Sequence, residues 1–249
     1  MLQHINARKL QWIALITLAL YPLSILAARL GIWHFSNTFL IFVVASLVGF
    51  ILLVISIFKL SKQSADEKGE TKPLLITILA TGLPLAFMGK NIMAAQGHPF
   101  IHDITTDFQQ PPALMAAKAL RTEADHDVEY QAENIELQQS GYPDLKAIVL
   151  NGGAKTVLHQ AKVLMQKQGW QILALQDEQA PYTLEASTES TLFAFIDDVS
   201  LRFTPVAQAE AATQVQTQVD MRSMSRQGKS DLGQNAKRIN EFFELLQAQ

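Results

Sequence analysis

Three long apolar stretches open the chain, and a different rhythm takes over after them. Leu10 to Ala28 is interrupted only by Gln11, Thr17, Tyr21 and Ser24, and Thr38 to Phe58 only by two serines. Each is long enough to cross ~30 Å of hydrocarbon as a helix. Leu74 to Ala95 is a third span of similar length, broken by Gly82 and Pro84 and carrying Lys90, whose amine has to snorkel to the interface. If this third span did not cross, everything after it would stay on the side of the amino terminus.

Residues 96–141 show little periodicity and contain Pro99, Pro111 and Pro112, so they are expected to form a tether with one helix near Ala113–Thr122. Regular patterning returns in residues 142–249. Val157, Ala161, Leu164 and Met165 form one stripe between Ala154 and Gln168, opposite Lys155, His159, Lys162 and Gln166, which predicts an amphipathic helix ended by Gly169. Period-two alternation then predicts strands near 170–176, 181–189, 193–204 and 214–223. In the third, Val199, Leu201 and Phe203 oppose Asp198, Ser200 and Arg202; in the fourth, Val215, Val219 and Met221 oppose Gln216, Gln218, Asp220 and Arg222. A last helix is expected from Asp231, where Asp231 and Gln234 have capping-box spacing, with Leu232, Ile239, Phe242 and Leu246 as its apolar stripe. The predicted fold class is α+β: an antiparallel four-stranded sheet with two helices on one face, preceded by three transmembrane helices. The predicted organisation is a membrane region at 1–95, a tether at 96–141 and a folded domain at 142–249.

Charge gives the membrane region an orientation. Residues 1–95 hold eight Lys/Arg against three acids, a balance of +5, whereas residues 96–249 hold twelve against twenty, a balance of −8. The acidic second part argues against a nucleic-acid partner. Arg8 and Lys9 precede the first span and four lysines lie between 59 and 72, while the 29–37 loop has only Arg29. The positive-inside rule then places the amino terminus in the cytoplasm and the C-terminal domain in the periplasm, as a multi-pass protein of the cell inner membrane. A cleavable signal peptide is the other reading of the first span, but no clean Ala-x-Ala-like site follows it and a second span begins within ten residues. The chain has no cysteine, which removes disulfides, thiolate catalysis and Cys-ligated zinc.

The densest chemistry is in Arg222-Ser-Met-Ser-Arg-Gln-Gly-Lys-Ser-Asp-Leu-Gly-Gln-Asn235, at the junction of the last strand and last helix. Depending on register, Asp198 faces Asp220 or Arg222 across the strands; the unlike pair is favoured by ~0.2–1 kcal/mol, so an Asp198–Arg222 pair is expected. Arg202, Arg222, Ser225 and Arg226 are candidate contacts for a small anionic ligand, because guanidinium forks match phosphate and carboxylate. Asp198, Asp231 and Asn235 are assigned structural roles, Asn235 as an amide on the buried stripe of its helix that needs partners. Ser223 and Ser225 have no Gly-x-Ser-x-Gly turn around them and no evident base, and His159 lies on a solvated stripe. The enzymatic alternative is a metal-assisted hydrolase using Asp197, Asp198 and Asp231, although neighbouring strand residues point to opposite faces. His98 and His102, spaced as helical metal ligands, follow a membrane exit and flank Pro99, which favours turn and interface roles.

Asp197-Asp198, Arg202, Arg222-Ser223, Ser225-Arg226, Ser230-Asp231-Leu232-Gly233, Asn235 and Arg238-Ile239 together resemble the core pattern of the bacterial and plastid family known as domain of unknown function 1499. Ile101 to Asp107 with Pro111-Pro112, Tyr142-Pro143-Asp144 and Gly169-Trp170 look like further marks of it, so the resemblance covers about 100–247. Gln227 and Lys229 stand where the pattern usually has valine and arginine. The resemblance implies a membrane-anchored member with no established substrate, cofactor or catalytic residue. The functional expectation is therefore a binding or assembly role in the cell envelope, with the lipid bilayer and an envelope protein or small anionic ligand as partners, and no cofactor or metal.

Overall fold

The computed structural model describes residues 6–64, 69–190, 194–206 and 215–249. Phe193 and Gln214, where two of the predicted strands begin, and Lys68 of the lysine-rich loop lie outside the described residues. The chain divides into two units, the first built from the apolar helices and the second from residues after Ala94.

The first unit contains α1 (Ala7–Arg29), α2 (Phe35–Ser61) and α3 (Thr71–Ala95), each longer than its apolar stretch because polar residues complete the end turns. The Asn6 side chain accepts from the Arg8 and Lys9 amides and starts α1. All three are long and apolar enough to cross a membrane. Several of their hydroxyls are satisfied inside the unit, as a hydrocarbon environment favours: Thr77 donates to Pro73 O, Thr81 to Thr77 O, and Tyr21 Oη lies 3.1 Å from Ser46 Oγ.

The second unit is an α+β domain around an antiparallel sheet of six strands, not the four expected. Four of them, β3 (Gln171–Gln176), β4 (Tyr182–Glu189), β5 (Ile196–Val206) and β6 (Gln216–Ser225), follow the alternating segments. The additional β1 (Asp103–Thr105) and β2 (Ile148–Asn151) are too short to show an alternation, and both pair with β6, β1 with residues 222–224 and β2 with 216–219. The order across the sheet is β1-β6-β5-β4-β3, with β2 sharing the β1 side of β6.

Two longer helices, α6 (Ala154–Lys167) and α7 (Gln234–Gln247), supply the apolar stripes that complete the main core. Val157, Leu158 and Met165 of α6 join Ile239, Phe242 and Leu246 of α7 and Val199, Leu201, Phe203, Val219 and Met221 of the sheet. Leu232, expected on the α7 stripe, precedes the helix and is half exposed. Trp170 stacks on Phe242 with ring centroids 5.3 Å apart.

The larger correction concerns residues 96–141, which are part of the domain and not a tether. Ile101 and Ile104 are buried in the main core, and β1 completes one side of the sheet. The segment then runs over the other sheet face as a strap carrying α4 (Met115–Ala119), and α5 (Asn134–Gly141) follows. From α5 the fully buried Gln138 side chain both accepts from and donates to the backbone of Thr105, 3.1 and 2.7 Å away, and so takes the place of a neighbouring strand. Leu114 and Ala117 of the strap pack with Met224 in a second small core.

Candidate functional site

Glu185 of β4, Asp198 of β5 and Asp220 and Arg222 of β6 are buried on this sheet face, with Arg202 at its edge, and each meets a counter-charge or a set of backbone donors. Glu185 on β4 accepts from the amides of Met115, Ala116 and Ala117, which are the free donors at the start of α4. Asp198 on β5 is fully buried and receives two guanidinium groups, Arg121 of the strap at 2.7 Å and Arg226 at 2.9 Å. Arg222 forks onto Asp103 at 2.9 and 2.7 Å and also donates to Val128 O, with the Tyr130 ring stacked 5.5 Å from its guanidinium carbon. Arg202 donates to Asp107, Asp220 and the Gln110 carbonyl.

The expected Asp198–Arg222 pair is therefore absent. The observed register sets Asp198 opposite Met224, Ser200 opposite Arg222 and Arg202 opposite Asp220. Neither register considered from the sequence occurs, because β6 extends to Ser225 and is shifted along β5 relative to both. Arg222 instead reaches across to β1, in the segment read as a tether.

On the helix face the motif forms a separate network. Asn235 is fully buried; its amide donates to His102 O at 3.0 Å and Ser225 Oγ at 3.1 Å and accepts from Ser223 Oγ at 2.7 Å and from Arg238. Arg238 also donates to Asp197. Asp231 accepts from the Gly233 and Asn235 amides, both at 2.8 Å, so it still caps α7 although that helix starts at Gln234, three residues later than expected. Gly233 has φ +83°, and a Cβ there would come within 2.7 Å of the His98 ring, so glycine is required at this turn.

Burial sets the protonation preferences of these groups. Burial pushes the Asp231 carboxyl above its usual range against the stabilising Asn235 and Gly233 amides, with the Asp197 charge adding to the rise. Burial, helped by the Asp231 charge, raises the Tyr142 phenol to about 12, and burial with the Asp103 charge raises Tyr130 to about 12. Burial also opposes ionisation of Asp107, but the Gln110 amide and Arg202 outweigh it and hold that carboxyl below its usual range.

The three acids of the metal-hydrolase alternative do not converge. Asp197 is held by Arg238 of α7, while Asp198 points to the opposite face and is held by Arg121 and Arg226. Among the described residues no group of three or more His, Asp or Glu side chains is arranged to hold a metal ion. His98 packs against Tyr142 and His102 against His126, so the two sequence-spaced histidines have different neighbours. Ser223 Oγ is bonded to Asn235 and Arg238, groups that cannot act as a general base. Asp103 and Arg238 enter the sequence reading only as parts of the family pattern, with no role, and Arg121 and Glu185 do not enter it; unpaired charges flanking the prolines of 96–141 are the available signal for Asp103 and Arg121.

An open groove of about 400 Å³ lies at the edge of the strap, lined by Asp107, Gln109, Lys146, Val149, Gln218 and Asp220 among others. Two of these, Asp107 and Asp220, are the acids that hold Arg202.

These features define a class of protein: three apolar helices long enough to cross a membrane and an α+β domain whose sheet buries a charged face beneath a strap. Residues 103–246 match the family described as protein of unknown function (DUF1499), more than half of the chain, and the chain belongs to that family. No curated protein matches it.

Proposed function

We propose that this is a multi-pass inner-membrane protein that displays the α+β domain in the periplasm, where it binds an envelope protein or a small anionic ligand and has an assembly role rather than catalysing a reaction. The observation that carries this reading is the saturation of the motif: Arg222, Ser223, Asp197, Asp198 and Asn235 each have buried protein partners. Groups committed in this way hold a fold together and are not poised for proton transfer. Arg202, Arg226 and Ser225, the remaining ligand candidates, are also engaged, so ligand contact at them has to compete with internal bonds. Arg202 is the best placed, because its two carboxylate partners form part of the groove wall.

A photo-crosslinking residue at Val149, half exposed in the groove wall, is expected to give a discrete adduct in intact cells, whereas one at the similarly exposed Val163 on α6 gives none. Equal yields from the two positions would remove the groove from the reading.

The absence of cysteine gives a direct test of orientation. Single cysteines at Glu123, on the exposed strap, and at Lys62, in the lysine-rich loop, are expected to differ in whole cells with a permeable outer membrane. A membrane-impermeant maleimide should label Glu123→Cys at once and Lys62→Cys only after lysis. The reverse pattern would place the domain in the cytoplasm.

A further inference from the structure

We infer that the stacked pair His102–His126 is an acid-sensitive latch that holds the strap onto the 226–230 turn and releases it when the pair becomes charged. The rings are 3.9 Å apart at 23°, and they come from different segments, His102 from the approach to β1 and His126 from the strap after α4. His126 Nε2 donates to Gly228 O at 3.0 Å and the His126 amide to Arg226 O at 2.7 Å, and beside them Gln227 donates to Asp125 at 2.8 Å, so His126 carries two of the three bonds between its part of the strap and the turn. The Lys229 backbone also faces the His102 ring. The His102 carbonyl accepts from the Ser225 and Asn235 groups that anchor the family motif. His126 therefore uses one ring nitrogen on the turn when neutral, and the stack tolerates the neutral forms.

The surroundings make a second charge unwelcome. From the strap the pair meets Arg121, with Asp125 next to His126, and from β1 Asp103; Arg226 and Lys229 belong to the bonded turn, and Asp231 follows it. The acids are already engaged: Asp103 with Arg222, Asp125 with Gln227 and Thr122, Asp231 with the α7 amides, and the nearby Asp198 with both Arg121 and Arg226. Two imidazolium rings in van der Waals contact would repel each other with no unused carboxylate between them.

Burial and the neighbouring His126 hold the His102 ring below its usual value of 6.5, partly offset by Asp103. The sign follows: a histidine whose folded value is depressed stabilises the closed form fully above 6.5, and that contribution falls away as the pH drops from 6.5 toward the folded value. Acid therefore favours the open strap. Opening exposes Asp198, Arg121 and Arg226 together, which would turn a buried ion-pair cluster into an accessible one.

Hydrogen exchange of the full chain in detergent micelles, corrected for intrinsic rates, tests this at pH 7.5 and pH 5.0. Peptides covering 121–130 and 226–230 should lose on the order of tenfold protection at the lower pH, while peptides from β4 and β5 keep theirs. His126→Gln retains a donor for Gly228 but does not titrate, and it should abolish the difference between the two pH values. Unchanged protection of the strap in the wild type overturns the latch. So does an acid response that survives in His126→Gln, or one that spreads equally to β4 and β5, which would mark general acid unfolding.

Discussion

Replacing Arg222 with alanine is expected to destabilise the α+β domain by about 3–5 kcal/mol, the cost of leaving one member of a buried ion pair alone. Asp103 is 1% exposed and its carboxylate is bound by the Arg222 fork, so the variant strands a negative charge on β1 beneath the strap. The Val128 carbonyl loses a donor at the same time. Against the ~5–15 kcal/mol available to an ordinary domain, that loss is enough to reduce accumulation in cells. Urea unfolding followed by Trp170 fluorescence measures it, with Trp12 and Trp33, the other two tryptophans of the chain, replaced by phenylalanine. The paired change Arg222→Met with Asp103→Leu removes both charges and should recover most of the stability. An alanine variant with the wild-type midpoint would mean that this ion pair does not hold β1 to β6.

The second large effect is expected at Asn235. Alanine there leaves the buried hydroxyls of Ser223 and Ser225 without the amide and takes one donor from the His102 carbonyl, for a loss of roughly 2–4 kcal/mol. Asn235→Asp keeps the shape but replaces the donating NH₂ with an acceptor facing His102 O and Ser225 Oγ, and it should unfold at least as easily as the alanine variant. The same fluorescence titration separates the explanations: if aspartate restores wild-type stability, volume matters at this position and hydrogen bonding does not.

The three apolar helices, α6, α7 and the four longer strands are legible because their patterns persist over enough residues to be seen, whereas the short α5 is not. Val199, Leu201 and Phe203 mark one face of β5 without ambiguity, and Val157 to Met165 mark the buried stripe of α6. The same alternation says only that Asp198, Ser200 and Arg202 share the opposite face, and a polar face is normally the wet one, whereas Asp198 and Ser200 are fully buried. What buries that face is a strap without a period of its own, whose fit depends on isolated residues such as Asp103, Asp107 and Arg121 meeting partners far along the chain. Register failed for a related reason. The pairing of Asp198 was argued from two charges in adjacent strands, whereas Arg222 is drawn to a third strand and Asp198 to two other arginines. At the candidate site the identity of the motif residues was readable, including the buried position of Asn235, but their partners were not. Partner choice at long range is decided by the assembled fold, not by local sequence.

The place of β6 in the sheet has a consequence for the order in which the domain can be made. It is the last strand to be synthesised, yet β1, β2 and β5 all pair with it. Asp103 and Arg222 are separated by 119 positions, so the segment that emerges first must remain unpaired until nearly the whole chain is present. Such long-range closure is slow compared with local helix formation. Until it happens, Asp103, Arg121 and Glu185 remain hydrated and Ile104, the one apolar side chain of β1, has no sheet to cover it. This interval is when the new chain is most open to proteases and to pairing with a neighbouring copy.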